Sequence, residues 1–246
     1  MSSGSDKNSF TDTYKAAISE SDPRIDQMEE VDQFTFAELD ARKLIYPGMH
    51  NPQVLNIFRE LRTQLLQLQK KKNFVCMVSS VSNQGGGSYV TQNLASVFAL
   101  DKAKTSLVLD ANLYSPSAQN LIFGEAEIGI TDYLSDPQVG IKDIVYATGI
   151  QRLRAIPLGS NSEGAAEYFE SEKMLAFIDE VKSRYADRYI FIDAPPVVNS
   201  SEARILAGLV DMVVLVVPHG KVTADRVQAA IDIVGEEKLA GLIYNN

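Results

Sequence analysis

Cysteine is almost absent from this chain of 246 residues, in which Cys76 is the only one. A single thiol excludes an internal disulfide framework and is typical of a reducing compartment, and we predict that Cys76 is an inert core residue. The only two histidines, His50 and His219, have neither cysteine nor carboxylate neighbours, which argues against a metal site. The longest apolar run, residues 212–217, is much shorter than the roughly 18–20 residues that cross a bilayer. Together with the lack of a signal peptide, these absences predict a soluble, cytoplasmic protein.

Positive charge is also scarce, with 23 basic against 32 acidic side chains and a net charge of −9. That balance argues against DNA binding through bulk electrostatics. Most of the excess lies in residues 1–40, which hold 10 acidic and 3 basic side chains. We therefore predict an acidic, largely disordered leader over residues 1–50 and one domain over residues 51–246. Within the leader, Phe34, Phe36 and Leu39 could dock on the body of the protein or on a partner.

Helical and strand patterns alternate through the rest of the chain. Helices are predicted over residues 53–70, 165–186 and 224–234, and a further one follows a glycine-rich loop and runs through residues 94–99. Short apolar runs predict buried strands over residues 74–78, 106–109, 153–157, 189–192, 212–217 and 239–243. This alternation predicts an α/β fold with a mainly parallel, doubly wound sheet and helices on both faces.

Three strand ends carry the residues expected of a ligand site. Parallel sheets bind ligands at the carboxyl ends of their strands. Residues 79–88 form a glycine-rich loop that leads into a helix, where free backbone N–H groups and the helix dipole suit a phosphate. Asp110 and Asp193 each end an apolar strand, where a carboxylate can hold Mg²⁺ beside that phosphate. A strand-end Asp alone is more often a cap or loop residue, but the three features in this order are far more specific.

Several segments with this arrangement resemble the cytoplasmic bacterial tyrosine kinases (BY-kinases) of exopolysaccharide synthesis. These kinases belong to the MinD/ParA-like branch of the P-loop NTPases. The resemblance runs from about residue 51 to the C-terminus. It rests on the helix segment 58–63, on Asn93-Leu94-Ala95, on the strand ends at residues 110–116 and 193–197, and on residues 241–245.

The resemblance implies a P-loop fold that binds ATP or ADP with Mg²⁺. The matching nucleotide-binding positions are Gly85, Gly86, Gly87, Ser88 and Asn245; the Mg²⁺ positions are Ser88, Asp110 and Asp193; the catalytic positions are Asp110, Asn112 and Asp193. Arg59 and Arg62 match helix residues that pack protomers into rings, which implies a homo-oligomer. The implied partner is the cytoplasmic tail of a transmembrane polysaccharide co-polymerase.

The chain departs from the family pattern at charged positions. Counting back from Asn93 puts Gly87 where the family has the lysine of the phosphate loop, while Ser88 keeps the metal-binding hydroxyl. The second Asp of the middle motif is Asn112, its Arg is Tyr114, and a helix Glu is Asn56. The final 57 residues contain one tyrosine, Tyr244, which we predict to be a core residue of a strand and therefore no substitute for the family's tyrosine cluster. The sequence thus predicts a degenerate, kinase-impaired member.

Three alternatives stay open at this point. The chain could be an active autokinase or weak ATPase, with its cation supplied by Arg204, by Lys221 or by a neighbouring protomer. It could be a ParA/MinD-type positioning ATPase, although these carry an extra lysine early in the loop and residues 81–84 contain none. Dinucleotide binding is a weaker alternative, because Val90 stands at the third glycine position of that fingerprint.

Overall fold

The computed structural model describes residues 33–70, 72–161, 164–184 and 187–246. Residues 1–32, which hold most of the predicted leader, lie outside the described residues. In the described ranges no helix is both long and apolar enough to cross a membrane.

A seven-stranded sheet forms the centre of the fold. Its strands are β1 (Val75–Ser80), β2 (Thr105–Asp110), β3 (Tyr146–Ala147), β4 (Leu153–Ile156), β5 (Arg188–Ala194), β6 (Met212–Pro218) and β7 (Leu239–Asn245). The spatial order is β3-β4-β2-β5-β1-β6-β7, and every neighbouring pair is parallel except β3 with β4. The predicted α/β class with a mainly parallel sheet is confirmed. β3 was not predicted, because two residues are too few to show a periodic pattern.

Nine α-helices accompany the sheet in the described part of the chain. They are α1 (Phe36–Ala41), α2 (Pro52–Leu68), α3 (Gly87–Ala99), α4 (Ile130–Ser135), α5 (Ile141–Ile144), α6 (Ala165–Glu170), α7 (Glu172–Ser183), α8 (Ser201–Leu209) and α9 (Ala224–Val234). The prediction of one helix over residues 165–186 is wrong. Ser171 adopts an extended conformation between α6 and α7, and its hydroxyl accepts a hydrogen bond from the Met174 N–H as the cap of α7.

Two apolar cores flank the sheet, because successive side chains of a strand point to opposite faces. In β1, Val75 and Met77 belong to the core covered by α4 to α9, whereas Cys76 and Val78 belong to the core covered by α1 to α3. Cys76 is fully buried, and burial raises the pKa of its thiol, which confirms that it is an unreactive core residue.

Residues 33–50 correct the predicted domain boundary, because they pack on the body of the protein. Leu44, Ile45 and Tyr46 are buried in the core that contains Cys76 and Val78 of β1. The Ile45 N–H donates to Asn93 Oδ1 at 2.7 Å, and Asn93 Nδ2 donates back to the Lys43 carbonyl at 3.0 Å. The prediction of a largely disordered leader is therefore wrong for residues 33–50, and the folded unit begins before residue 51.

Apolar residues of the leader divide between burial and exposure. Phe34 is 5% exposed and lies so close to Gly149 that a Cβ there would be 2.2 Å from its ring. Leu39 is also buried, whereas Phe36 is 66% exposed and stacks on Tyr46. Phe34 and Leu39 therefore pack on the body of the protein, which was one of the two alternatives predicted for these residues; the other was a partner.

Candidate functional site

The glycine-rich segment forms a tight turn between β1 and α3, and residues 81–86 are called the phosphate loop below. Gly86 has φ +89° and caps α3, and a Cβ on it would lie 2.1 Å from Asn245 Nδ2. A Cβ on Gly85 would lie 2.8 Å from Ser80 Cβ. Both positions therefore require glycine. Gly86 requires it because of its positive φ and its close approach to Asn245, and Gly85 requires it because of its close approach to Ser80. The N-terminus of α3 is left open to an anion.

A cavity of about 480 Å³ lies over this loop. Its lining residues come from three strand ends: Ser80, Asn83, Gln84, Gly85, Gly86, Gly87, Ser88, Tyr89, Asn112, Tyr114, Ser115, Ala194 and Pro196. Asn245 reaches the loop from β7 and donates from Nδ2 to the Gly85 carbonyl at 3.1 Å. The structure thus brings the predicted nucleotide-binding residues together at one edge of the sheet.

Asp110 and Asp193 end neighbouring strands and are direct partners in the β2–β5 register. Their side chains are buried, at 1% and 0% exposure. Asp110 accepts backbone N–H groups from Asn112, Ser117 and Ala118. Burial raises the pKa of the Asp110 carboxyl against these three bonds. Burial, followed by the neighbouring charge of Asp110, raises the pKa of Asp193 to about 7.

Hydroxyl groups surround Asp193. Ser117 Oγ donates to its carboxylate at 2.8 Å, Thr91 Oγ1 lies at 3.5 Å, and Ser88 also donates and lowers its pKa. Two carboxylates beside several hydroxyls are the hard oxygen donors that Mg²⁺ prefers, and Mg²⁺ sites of nucleotide-binding proteins use one or two carboxylates plus phosphates. Ser88, Asp110 and Asp193 therefore fit Mg²⁺. In the described ranges there is no cluster of three or more His, Cys, Asp or Glu side chains that could hold a metal alone.

Comparisons with known proteins identify the family of this chain. A scan against family models finds no match. The chain is 30% identical over 204 residues to the tyrosine-protein kinase YwqD of Bacillus subtilis (strain 168), covering 80% of this chain and 84% of that protein. It is 28% identical over 191 residues to the tyrosine-protein kinase CpsD of Streptococcus agalactiae, covering 76% of this chain and 81% of that protein. The chain belongs to the bacterial tyrosine-protein kinase family.

Solved structures support the fold of these kinases. The kinase domain of the Escherichia coli tyrosine kinase ETK matches with a TM-score of 0.75 at 22% identity, covering 89% of this chain and 83% of that chain. The septum site-determining protein MinD of Pyrococcus horikoshii OT3, complexed with Mg-ADP, matches with a TM-score of 0.54 at 18% identity, covering 69% and 68%. The fold is therefore that of the BY-kinases within the MinD-like P-loop NTPases.

The sheet order excludes the dinucleotide-binding alternative. In a Rossmann sheet the first two strands of the fingerprint are neighbours. Here β5 lies between β1 and β2. That insertion brings Asp193 into register with Val78 of β1 on one side and with Asp110 of β2 on the other.

A cation is missing from the carboxylates of this kinase domain. In residues 33–70, 72–161, 164–184 and 187–246, no lysine or arginine forms an ion pair with Asp110 or Asp193. A Cβ at Gly87 would meet nothing nearer than the Ser80 backbone nitrogen at 3.4 Å, so the backbone leaves room for a Cβ there. The predicted substitutes Arg204 and Lys221 are exposed and have no hydrogen bond to the loop within these ranges.

Three residues that sequence reasoning missed complete the site. Ser117 links the carboxylates, since its N–H donates to Asp110 and its Oγ to Asp193, and no pattern marked it. Thr91 follows Ser88 by one helical turn, and that i, i+3 spacing was an available signal. Arg226 donates from Nε to the Val81 carbonyl at 3.2 Å and from Nη2 to Asn199 Oδ1 at 3.3 Å, which places a cation at the start of the loop.

The two arginines of the predicted oligomer interface lie on α2 and differ in their surroundings. Arg62 pairs with Asp101 of its own chain at 2.8 Å and lies over the Phe98 ring. Arg59 is exposed. The prediction that Tyr244 is a core residue is wrong, because its side chain is 70% exposed on β7, which pairs only with β6 in the described sheet.

Proposed function

We propose that this chain is a nucleotide-binding pseudokinase of the bacterial tyrosine-protein kinase family. It binds ATP or ADP with Mg²⁺ weakly, transfers phosphoryl groups poorly, and acts with a membrane polysaccharide co-polymerase in exopolysaccharide synthesis. The observation that carries the proposal is Gly87 at the lysine position, beside two buried carboxylates that no cation accompanies in the described ranges.

The missing lysine affects catalysis more than binding. In P-loop proteins that lysine reaches the β- and γ-phosphates. Phosphoryl transfer depends almost entirely on positioning and on neutralising the charge that develops on the transferred group. One charged hydrogen bond contributes about 1.5–3 kcal/mol, and its loss from the transition state slows transfer by a corresponding factor.

The remaining parts of the site favour retained nucleotide binding. Gly85 and Gly86 keep the loop in the conformation that exposes backbone N–H groups. Ser88 would ligate Mg²⁺ directly, with Asp110 and Asp193 holding the ion or its water. Asn245 buttresses the loop through the Gly85 carbonyl, and the family resemblance gives it a second role near the adenine.

Family membership supports a proposed partner and a proposed assembly. One relative, from Klebsiella pneumoniae, is named a putative tyrosine-protein kinase in the cps region, and it supports a role in polysaccharide export. We propose that the chain binds the cytoplasmic tail of a transmembrane co-polymerase at the inner face of the membrane. We also propose a homo-oligomer through α2, in which Arg59 contributes directly and Arg62 exchanges Asp101 for a residue of the next protomer.

A weak ATPase or autokinase is the second candidate, and two observations favour it. Arg226 brings a guanidinium to the first residue of the phosphate loop. Tyr244, being exposed, is an accessible phenol near the C-terminus. In this case Arg226 takes over part of the missing lysine's role.

The experiment is calorimetric titration of the purified protein with ADP and ATP, with and without Mg²⁺, followed by a phosphate-release assay on the same sample. We expect Mg²⁺-dependent binding without appreciable turnover, and loss of the Mg²⁺ dependence in Ser88→Ala. Turnover matching an active relative such as YwqD would refute the pseudokinase. In that event Arg226→Gln should abolish turnover and Arg226→Lys should keep part of it. Absence of binding to either nucleotide would refute the nucleotide-binding proposal itself.

A further inference from the structure

Two adjacent side chains of α3, Gln92 and Asn93, carry buried amide groups whose hydrogen bonds go to different segments of the chain. They are 4% and 0% exposed. Gln92 Nε2 donates to the Ser117 carbonyl and to Ser117 Oγ, both at 3.0 Å. Asn93 accepts from the Ile45 N–H and donates to the Lys43 carbonyl. Because a buried amide is costly without partners, α3 holds Ser117 through one side chain and the leader through the next.

Asn120 joins these two contacts into one connection. Its Nδ2 donates to Gln92 Oε1 at 2.8 Å and to the Arg42 carbonyl at 3.4 Å. The Gln92 amide thus uses its acceptor on Asn120 and both of its donors on Ser117, and turning it over would set donor against donor. Ser117 Oγ accepts from Gln92, so its single proton is directed to Asp193. A continuous hydrogen-bonded chain therefore runs from the Arg42 carbonyl to the Ser117 hydroxyl, and its members orient one another.

Residues 33–46, called the leader strap below, are anchored at a further point beside this chain. The Phe34 N–H donates to the Gly149 carbonyl at 2.9 Å, and the Gly149 N–H donates to the Leu121 carbonyl at 3.0 Å. The Phe34 ring packs on the Phe123 ring, with 4.6 Å between their centroids. The strap therefore fixes the short segment that carries the middle of the hydrogen-bonded chain.

The hydrogen-bonded chain ends at the wall of the nucleotide cavity. Asn112, Tyr114 and Ser115 line that cavity, and Ser117 follows them on the same loop. The amide side chains of the connection are not lining residues in the described structure, so they act on a bound nucleotide only by holding this loop. Holding the end of a loop reduces the conformational entropy that the loop loses when a nucleotide binds against it.

We propose that the leader strap is a part of the nucleotide site and that Gln92 is the positioning residue that couples the two. Docking of the strap orients Asn120 and Gln92, and Gln92 holds Ser117 and with it the cavity wall. Because coupling between two sites is reciprocal, nucleotide binding stabilises the docked strap by the same factor by which the strap tightens nucleotide binding. This inference rests on the proposed nucleotide binding.

Hydrogen–deuterium exchange of the wild type, with and without saturating Mg-ADP, measures one direction of the coupling. We expect the amides of residues 34–45 to exchange about fivefold or more slowly when ADP is bound. The amides of α7, which supplies no lining residue in the described structure, should exchange at an unchanged rate. Unchanged exchange of the strap, in a protein that calorimetry shows to bind ADP, would refute the proposal.

A double-mutant cycle measures the other direction through the calorimetric Kd for ADP. Phe34→Ala loosens the strap at its far end, and Gln92→Met removes the amide while keeping a side chain of similar size. Each change alone should weaken ADP binding about fivefold, and Phe34→Ala should add less than about twofold once Gln92→Met has broken the connection. Phe36→Ala is the matched control, because this phenylalanine of the same strap is 66% exposed. It should leave the Kd within about twofold of the wild-type value.

Each outcome decides the proposal. A Phe34→Ala effect of equal size in both backgrounds would refute it, since independent residues contribute additively, and so would an equal effect of Phe36→Ala. If Phe34→Ala fails to fold, the exchange comparison on the wild type still decides. A wild type that binds no ADP would refute the nucleotide-binding proposal, and exchange then tests the connection without ligand. In that case Gln92→Met should speed the exchange of residues 34–45 but not of α7, and an unchanged rate in the strap would refute the connection.

Discussion

Buried or half-buried aspartates lie at both edges of the sheet, and their carboxylates have different partners at the two edges. At the amino edge, Asp211 precedes β6, accepts the Val75 N–H at 2.8 Å and pairs with Lys182 Nζ at 2.7 Å. At the carboxyl edge, Asp110 and Asp193 are more deeply buried and are held by N–H and hydroxyl groups. The carboxylates that most need a cation are those without one in the described structure.

This difference separates a structural ion pair from a ligand site. A carboxylate that only holds the fold together is stabilised by a partner within the chain, as Lys182 does for Asp211. Carboxylates left without a cation are costly in the free protein, because burial and mutual repulsion disfavour their ionised forms. Such a cost is typical of functional sites, where a bound cation offsets it.

Asp193→Asn should produce the largest change, which is a change in how the free energy of unfolding depends on pH. The pKa of Asp193 rises from 3.8 to about 7 on folding, so the folded state binds a proton that the unfolded state has released. Its contribution to stability is present below the unfolded pKa and is lost as pH rises through the folded one, by up to about 1.4 kcal/mol per pH unit. Wild type should therefore lose stability relative to Asp193→Asn between about pH 4 and pH 7. Urea unfolding across this range measures it, and parallel curves for the two proteins would contradict the prediction.

Gly87→Lys gives the carboxyl edge the cation that the amino edge has. We expect a gain of about 1.5–3 kcal/mol in the free energy of unfolding at pH 7.5, because the ammonium group offsets two buried negative charges. Gly87→Ala is the matched control, since it adds the same Cβ in available space but no charge. Chemical denaturation compares the two variants, and equal stabilities would mean that the carboxylates do not sense a charge at this position.

Ser117→Ala should have an intermediate effect, about 1–2 kcal/mol, because it removes the hydroxyl that donates to Asp193. That bond lowers the pKa of Asp193, so it stabilises the ionised carboxylate. The loss should therefore be greater at pH 8 than at pH 5. Ser115→Ala, on the same loop but exposed, should change Tm little at either pH. A loss of stability independent of pH would show that Ser117 acts through packing alone.

The strands and glycines of the site could be predicted from sequence because local patterns specify them. An apolar run followed by Asp110 or Asp193 carries its own signal, and so does a run of glycines before α3. Ser117 and Arg226 could not be found this way, since their roles depend on which loops the strand order brings together. The strand order itself, with β5 between β1 and β2, is a long-range property.

Two errors have the same origin. Tyr244 has the apolar neighbours of a core strand, yet β7 is an edge and leaves the ring 70% exposed. Residues 33–50 share a leader with many acidic side chains, yet Asn93 on α3 satisfies the backbone at Ile45 and Lys43. A prediction of disorder from composition fails when residues distant in the sequence form hydrogen bonds with the backbone of the segment.

Lys182→Met should have the smallest effect, and it tests the other side of the comparison. Asp211 is 30% exposed, so water replaces the lysine and the Val75 N–H remains bonded. We expect a loss of about 0.5–1 kcal/mol, which shrinks further at high salt because a partly exposed pair is screened. Urea unfolding at low and high salt measures it, with Lys182→Arg as the charge-keeping control. A loss larger than the gain from Gly87→Lys would mean that charge matters more to the fold at the amino edge than at the site. The opposite order means that charge matters more to the fold at the carboxyl edge, where no lysine or arginine pairs with Asp110 or Asp193 in the described ranges, than at the amino edge.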